Sequence, residues 1–363
     1  MSARIYNFSA GPATLPIEVL KQAGKDIVDF QQMGISLIEM SHRSKEFVAI
    51  AEETESNLHF LLDIPESYKV LFLQGGASSQ FFMTPMNLLG GQKKATYLNT
   101  GTWATKAIKE ARNFGDIEVP FSGEKINFNR VPQDMEYEIS SDSHYLYFVS
   151  NNTIYGTQFG KFPESEKMLV CDMSSDILSR PIDINKFGLI FAGAQKNLGP
   201  AGVTIVIIRE DLLGQAPENT PTMLNYKTHA DKNSMLNTPP CFAIYTVGEV
   251  LKWAIKQGGV KVLQERNIEK ANLLYSAIDT TDYYRGHAEK NSRSLMNISF
   301  NLPTAELEAH FVEEASLIGL SGLKGHRSIG GCRASIYNAF PKKGVVSLVQ
   351  FMEKFERENP VIK

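Results

Sequence analysis

FGLIFAGAQKNLGPAGVTIVII, Phe187 to Ile208, sets one cation between two apolar runs. FGLIFAG and VTIVII have the length and the β-branched and aromatic content of strands buried on both faces. A short turn joins them, and parallel neighbours would need a longer crossover, so the pair reads as antiparallel. Lys196 stands in that turn with Gln195 and Asn197 as its only polar company. Lysine is ordinarily a solvent-facing residue. Here Ala192, Gly193, Ala194, Gly199, Ala201 and Gly202 leave space beside the ammonium for a flat organic group.

Working outward, runs of the same kind recur: YKVLFL from Tyr68, KATYLN from Lys94, HYLYFVS from His144 and KMLVCDM from Lys167. Helical spacing of apolar residues marks EVLKQAGKDIVDF (Glu18 to Phe30), EFVAIAEETESNLHFLLDI (Glu46 to Ile64) and TWATKAIKEARNF from Thr102. Strands alternating with helices predict an α/β fold, with a mainly parallel sheet covered on both faces. Beyond Pro240 the pattern changes. CFAIYTVGEVLKWAIKQGGVKVLQERNIEKANLLYSAI predicts a long helix broken near Gly258 and Gly259. A strand (SLMNISF), a helix (TAELEAHFVEEASLIG), a strand (RASIYNAF) and a last helix (GVVSLVQFMEKFEREN) follow, a small α+β C-terminal domain. The expected division is a large domain at 16–258 and a small one made of 1–15 with 259–363.

Composition excludes several classes. Among 363 residues, 43% are hydrophobic and 21% charged, the balance of a globular protein with a sizeable core. Thirty-seven basic against 40 acidic residues give a net charge of -3, so neither nucleic acid nor an anionic membrane is expected as partner. VTIVII is far short of the ~20 apolar residues that span a bilayer. The opening MSARIYNFSAGP lacks the charged-then-apolar pattern of a signal peptide, and the expectation is a cytoplasmic protein. Cys171, Cys241 and Cys332 are too few and too scattered for a disulfide framework or a zinc site, and no metal is expected.

The residues that carry chemistry lie at the ends of the apolar runs. Asp172 closes MLVCD, where ligands bind in open α/β sheets, although a lone aspartate there is more often a helix cap. QGGASSQ, Gln74 to Gln80, joins a strand to a helix, and glycines at such a turn let backbone N–H groups cradle a phosphate. Trp103, one of only two tryptophans, offers either a core anchor or a flat face for a planar ligand. His42-Arg43 and His326-Arg327, with Arg333, stand in turns containing glycine or serine. Each pair alone reads as surface charge; together they point to a dianionic ligand held by forked donors. A lysine in a small-residue pocket with an aspartate from another strand end fits a Schiff-base site. There the amine forms an imine with the aldehyde of pyridoxal 5'-phosphate, and the carboxylate keeps the ring nitrogen protonated.

At these residues the chain resembles the phosphoserine aminotransferase family, in the class V branch of the fold-type I pyridoxal-phosphate enzymes. NFSAGPATLP, EMSHRSKEF, LFLQGGASSQF, CDMSSDILSRPID, FAGAQKNLGPAG, NTPPCFAIY and KGHRSIGGCRASIYNA occur in family order and cover essentially the whole chain. The resemblance implies a seven-stranded, mainly parallel sheet in the large domain and a homodimer with shared active sites. It implies that Lys196 carries the cofactor and shuttles the substrate proton, Asp172 pairs with the ring nitrogen, Trp103 stacks on the ring and Thr153 contacts its edge. Ala77, Ser78 and Gln195 would hold the cofactor phosphate, with Asn237 and Thr238 reaching it from the second subunit. Arg333 would take the substrate α-carboxylate. His42 and Arg43, from the partner chain, with His326 and Arg327 would take the substrate phosphate or the side-chain carboxylate of glutamate.

The implied reaction moves the amino group of L-glutamate to 3-phosphohydroxypyruvate, in L-serine biosynthesis; some members also act on a phosphorylated hydroxythreonine in pyridoxine biosynthesis. Ser78 departs from those relatives that have arginine there, which changes the number of charges facing the cofactor phosphate. Three other readings compete. A cysteine desulfurase would want histidine where Gln195 stands, and a mobile cysteine. Alanine–glyoxylate-type transamination would have little use for two His-Arg pairs. A non-catalytic phosphometabolite-binding protein would have no need of Lys196.

Overall fold

The structure is a computed structural model and describes residues 4–90 and 93–360. Its centre is one seven-stranded sheet of β1 (Tyr68–Leu73), β2 (Lys94–Asn99), β3 (Asp116–Ser122), β4 (Ser143–Val149), β5 (Met168–Asp172), β6 (Phe187–Gly193) and β7 (Thr204–Arg209). The spatial order is β1-β7-β6-β5-β4-β2-β3. β6, β5, β4, β2 and β3 are parallel to one another, while β7 runs antiparallel to both neighbours, with Thr204 opposite Gly193 on one side and Leu73 on the other. The antiparallel reading of the Lys196 hairpin therefore holds, as does the mainly parallel α/β sheet.

β3 is the strand that the search for apolar runs passes over. None of its residues is fully buried, and it carries Asp116, Glu118 and Pro120. It is one of the sheet's two edge strands, with a single neighbour. An edge strand tolerates proline and charge because half of its backbone groups face no partner.

Side chains alternate between the sheet's two faces. Val70, Phe72, Cys171, Ile190 and Ile205 pack with Phe47 and Leu58 of α2 (Lys45–Leu62) and with Ile244 and Val247 of a long helix, Cys241–Lys256. Leu71, Leu73, Val170, Leu189 and Val206 pack with Phe81 and Leu88 of α3 (Gly76–Leu89) and with Ala107 and Ile108 of α4 (Thr102–Ala111). Ahead of these stands α1 (Ile17–Val28). Strands covered on both faces read as continuous apolar runs for this reason.

The long helix Cys241–Lys256, α5, hands over to α6 (Gly259–Asp279) through Gly258 at φ 101 and Gly259 at φ 78. Those left-handed angles suit glycine, so the helix breaks where the two glycines stand. A third core gathers Leu274, Ile298, Phe300, Phe311, Phe351 and Phe355, and Phe8 from near the start of the chain joins it. Its strands β8 (Arg285–Gly286), β9 (Asn297–Asn301) and β10 (Cys332–Ser335) form an antiparallel sheet, flanked by α7 (Ala305–Leu317) and α8 (Lys342–Glu358). Tyr6–Asn7 pairs with Leu320–Ser321 beside it.

RASIYNAF is strand only as far as Ser335. Beyond it the carbonyls of Ile336, Tyr337 and Phe340 accept hydrogen bonds from Lys270 Nζ at 2.8, 2.6 and 3.2 Å. A buried ammonium thus takes acceptors that a further strand pairing would need. No helix among the described residues is long and apolar enough to cross a membrane.

Candidate active site

The site opens where β5 and β6 end. Asp172 is the last residue of β5 and is 5% exposed. Its carbonyl accepts from the Ser150 N–H at 3.0 Å, and its carboxylate accepts from the Ser174 N–H at 2.9 Å. Burial pushes the carboxyl pKa up, against the Ser174 hydrogen bonds and the charge of Lys196. A carboxylate has about four acceptor positions, so one hydrogen-bonding neighbour leaves room for a further donor.

Lys196 lies on the turn after β6, where the N–H groups of Leu198 and Gly199 both return to the Ala194 carbonyl at 3.2 and 2.7 Å. Its Nζ donates to Thr153 Oγ1 at 2.7 Å and stands 6.0 Å from the centre of the Trp103 ring. Burial pulls the amine pKa down to about 8; Asp172 opposes the change and Arg333 adds to it. The lysine that looked out of place is therefore an amine whose basicity its low-dielectric surroundings lower.

The QGGASSQ turn has the geometry of an anion cradle. Gly75, at φ 88, caps α3 without a side-chain hydrogen bond, and Gly76 follows at φ 67. A Cβ on Gly75 would stand 2.0 Å from Ser79 Oγ, which donates to the Gly75 carbonyl at 3.1 Å. A Cβ on Gly76 would meet nothing within 4 Å. The N–H groups of the first turn, Ala77 and Ser78 included, have no intrahelical acceptor. Gln195 is half-buried beside Lys196, and its carbonyl accepts from Ala13 N at 2.9 Å. Asn237 and Thr238 lie at the entrance to this turn within the same chain: Gln74 Nε2 reaches the Thr238 carbonyl at 3.4 Å.

On the other side, Arg333 of β10 donates from Nη1 to the Thr153 carbonyl at 3.4 Å, and its buried Nε has no partner. Thr153 thus meets Lys196 through its hydroxyl and Arg333 through its carbonyl. His326 Nδ1 is 2.7 Å from Ser328 Oγ in the loop that leads to β10. Burial lowers the His326 pKa, and so do the charges of Arg333, Arg327 and Lys106. His42 is half-buried with an unpartnered Nε2, and Arg43 is exposed. Within one chain, neither is joined to Lys196, Asp172 or Arg333 by a hydrogen bond or ion pair among the described residues. The structure therefore brings Lys196, Asp172, Thr153, Trp103 and Arg333 together and leaves the first His-Arg pair apart from them.

Several contributors escape the sequence reading. Lys106 stands one helical turn beyond Trp103, with Nζ 4.7 Å from the centre of its ring. Asn338 donates its N–H to Asn197 Oδ1 at 3.0 Å, and Tyr337 donates its hydroxyl to the Ala10 carbonyl at 2.7 Å. These contacts tie the turn bearing Lys196 and the NFSAGP segment to the end of β10. The only sequence signal is the position of Tyr337 and Asn338 just beyond Arg333, in RASIYNA.

Pyridoxal phosphate is a planar ring with a phosphate, an aldehyde and a ring nitrogen. The pocket supplies an indole whose buried Nε1 has no partner, an uncapped helix start, an amine and a carboxylate with spare acceptor positions. The residues present fit the group.

The Aminotransferase class-V family model matches residues 5–348. The phosphoserine aminotransferase of Desulfotalea psychrophila is 69% identical over 360 residues, 99% of this chain and 100% of that one. That of Laribacter hongkongensis is 56% identical, with 98% and 99% covered. Among solved structures, the phosphoserine aminotransferase from Bacillus circulans subsp. alkalophilus matches with a TM-score of 0.96 at 52% identity, covering 98% of this chain and 99% of that one. The pyridoxal-phosphate-bound phosphoserine aminotransferase from Trichomonas vaginalis matches with 0.93 at 39% identity, covering 96% and 100%.

Proposed function

The chain belongs to the class-V aminotransferase family, and we propose that its pocket moves the amino group of L-glutamate to 3-phosphohydroxypyruvate, giving 2-oxoglutarate and O-phospho-L-serine. The protein is a pyridoxal-phosphate-dependent phosphoserine aminotransferase, and that activity belongs to L-serine biosynthesis. The observation that carries the reading is the pairing of an amine held on Thr153 with a buried carboxylate at the end of the neighbouring strand.

When bound, pyridoxal phosphate supplies an aldehyde that takes up the amino group and a ring that accepts electron density from the substrate Cα. In our reading Lys196 anchors that group, then removes and returns the proton at the substrate Cα. The modest basicity of its buried amine suits both directions of transfer. Asp172 holds the proton on the ring nitrogen. Trp103 covers the ring and excludes water from one face, and Thr153 orients the Lys196 amine through its hydroxyl. The first-turn N–H groups at Ala77 and Ser78, with Gln195, hold the cofactor phosphate; with Ser78 uncharged, the helix start does most of that work. Arg333 takes the α-carboxylate, while His326 and Arg327 face the distal anion.

The remaining donors come from a second copy. His42 and Arg43 of the partner subunit complete the distal anion site, and Asn237 and Thr238 of the partner subunit reach the cofactor phosphate. Val28, Met33 and Ile38, 78%, 48% and 62% exposed, precede His42 in the chain and are apolar side chains that a homodimer could cover. We place the domain division at 16–258 against 1–15 with 259–363, supported by Phe8 packing into the C-terminal core. Phosphorylated keto acids do not cross membranes unaided, so we place the reaction in the cytoplasm. A desulfurase reading finds little support in the thiols: Cys171 and Cys332 are buried, Cys241 is half-buried, and burial pushes all three thiols up.

Borohydride reduction of the cofactor-loaded protein followed by peptide mapping tests the anchor, and glutamate turnover followed spectroscopically tests the transfer. Label on Lys196, and glutamate-dependent loss of the ~410–430 nm band restored by 3-phosphohydroxypyruvate, is the expected result. Label elsewhere, or a band that glutamate leaves in place, overturns it.

A further inference from the structure

Three cations and one histidine from three segments meet at the rim of the pocket: Lys106 on α4, His326 and Arg327 on the loop before β10, and Arg333 on β10. The charges of the other three all act on His326. Among the described residues, none of the four forms an ion pair with a carboxylate. Lys106 is the one that no motif marks. On α4, Ala104, Ala107, Ile108 and Ala111 face the core, which leaves Lys106 exposed. The three-residue spacing sets Lys106 and Trp103 on one face of the helix.

The Trp103 indole has two ammonium groups over it, Lys106 Nζ at 4.7 Å and Lys196 Nζ at 6.0 Å. An exposed lysine over an aromatic ring is commonplace on a helix surface, and one such contact would say nothing. This ring also neighbours the reacting amine, which puts the Lys106 charge at the mouth of the site rather than on a remote face.

We infer that Lys106 is a specificity-determining residue, a rim charge that favours a substrate ending in a phosphate over one ending in a carboxylate. The inference rests on the transamination reading above. One site must take a distal group of charge near -2 in one half-reaction and -1 in the other. Forked arginines bind either group by shape, since both offer paired oxygens. A lysine ammonium is a mobile point charge, and its contribution scales with the charge of what it faces. Its exposure also makes that contribution sensitive to salt.

Steady-state kinetics of wild-type, Lys106→Gln and Lys106→Arg holoenzyme with 3-phosphohydroxypyruvate and with glutamate tests this. Inorganic phosphate serves as a competitive probe of the distal site. The expected result for Lys106→Gln is a KM for the phosphorylated keto acid raised about threefold to tenfold more than the KM for glutamate, with kcat nearly kept. Phosphate inhibition should weaken by the same factor, Lys106→Arg should restore both, and the difference should fade at about 0.5 M salt. Equal rises in the two KM values, or a fall in kcat that Lys106→Arg fails to restore, overturns the inference: either means that Lys106 only positions Trp103. Wild-type enzyme that turns over glutamate but not the phosphorylated keto acid overturns the function itself, and the rim role with it.

Discussion

At the scale of the residue, the proposed chemistry rests on Lys196, and its environment rather than its identity sets its basicity. Burial brings the amine down to about 8. Below that value the group is mainly ammonium, which cannot attack an aldehyde, and its neutral fraction falls about tenfold per pH unit. Protein stripped of cofactor is expected to take up pyridoxal phosphate faster as pH rises, by about tenfold per unit, until the rate levels near 8. Stopped-flow absorbance between about pH 6 and 9 checks this, and a rate that keeps climbing about tenfold per unit through pH 9 contradicts the lowered basicity. Lys196 and Asp172 were legible in the sequence because one stands in the turn between two apolar runs and the other ends a run, where ligands bind in open α/β sheets. Lys106 was not. Its spacing from Trp103 is ordinary for a helix, and it gains meaning only from where α4 meets the loop before β10.

At the scale of the element, helix starts and strand ends carry the function while strand middles carry the fold. Six of the seven sheet strands were visible as apolar runs because helices cover both of their faces. The seventh, β3, was known only through the family resemblance, since none of its residues is fully buried and it carries no continuous apolar run. The short β10 shows the reverse error: RASIYNAF reads as eight residues of strand, but Lys270 takes the carbonyls beyond Ser335. That clamp joins α6 to the segment bearing Tyr337 and Asn338. Lys270→Met leaves three buried acceptors without their donor and is expected to lower stability by about 2–4 kcal/mol. Urea unfolding measures it, and an unchanged midpoint would mean that water replaces the ammonium at no cost.

At the scale of the whole molecule, the proposed anion site is incomplete within one chain. Among the described residues His42 and Arg43 have no hydrogen bond or ion pair to Lys196, Asp172 or Arg333 in their own chain, and exposed Val28, Met33 and Ile38 precede them. If two copies share their sites, Lys196→Ala and Arg43→Ala fail separately and rescue one another. A mixed dimer then has one site with both defects and one with neither. Equal mixing after subunit exchange is expected to restore about a quarter of the wild-type sites, since half of the dimers are mixed and each has one good site. Assay of 3-phosphohydroxypyruvate turnover before and after exchange measures it; no recovery, with exchange verified by mass, contradicts shared sites.

The sequence by itself determined the α/β alternation, the antiparallel hairpin around Lys196, the break at Gly258 and Gly259, and the candidate amine and carboxylate. These follow from local periodicity, turn chemistry and the side chains that stand at element ends, all of which neighbouring residues dictate. Only the tertiary structure decided that Thr153 receives the Lys196 amine, that Arg333 bonds to the same threonine's backbone, and that Lys106 joins the rim. Those contacts link residues far apart in the chain, and burial, which sets the amine's basicity, exists only once the separate elements have packed together.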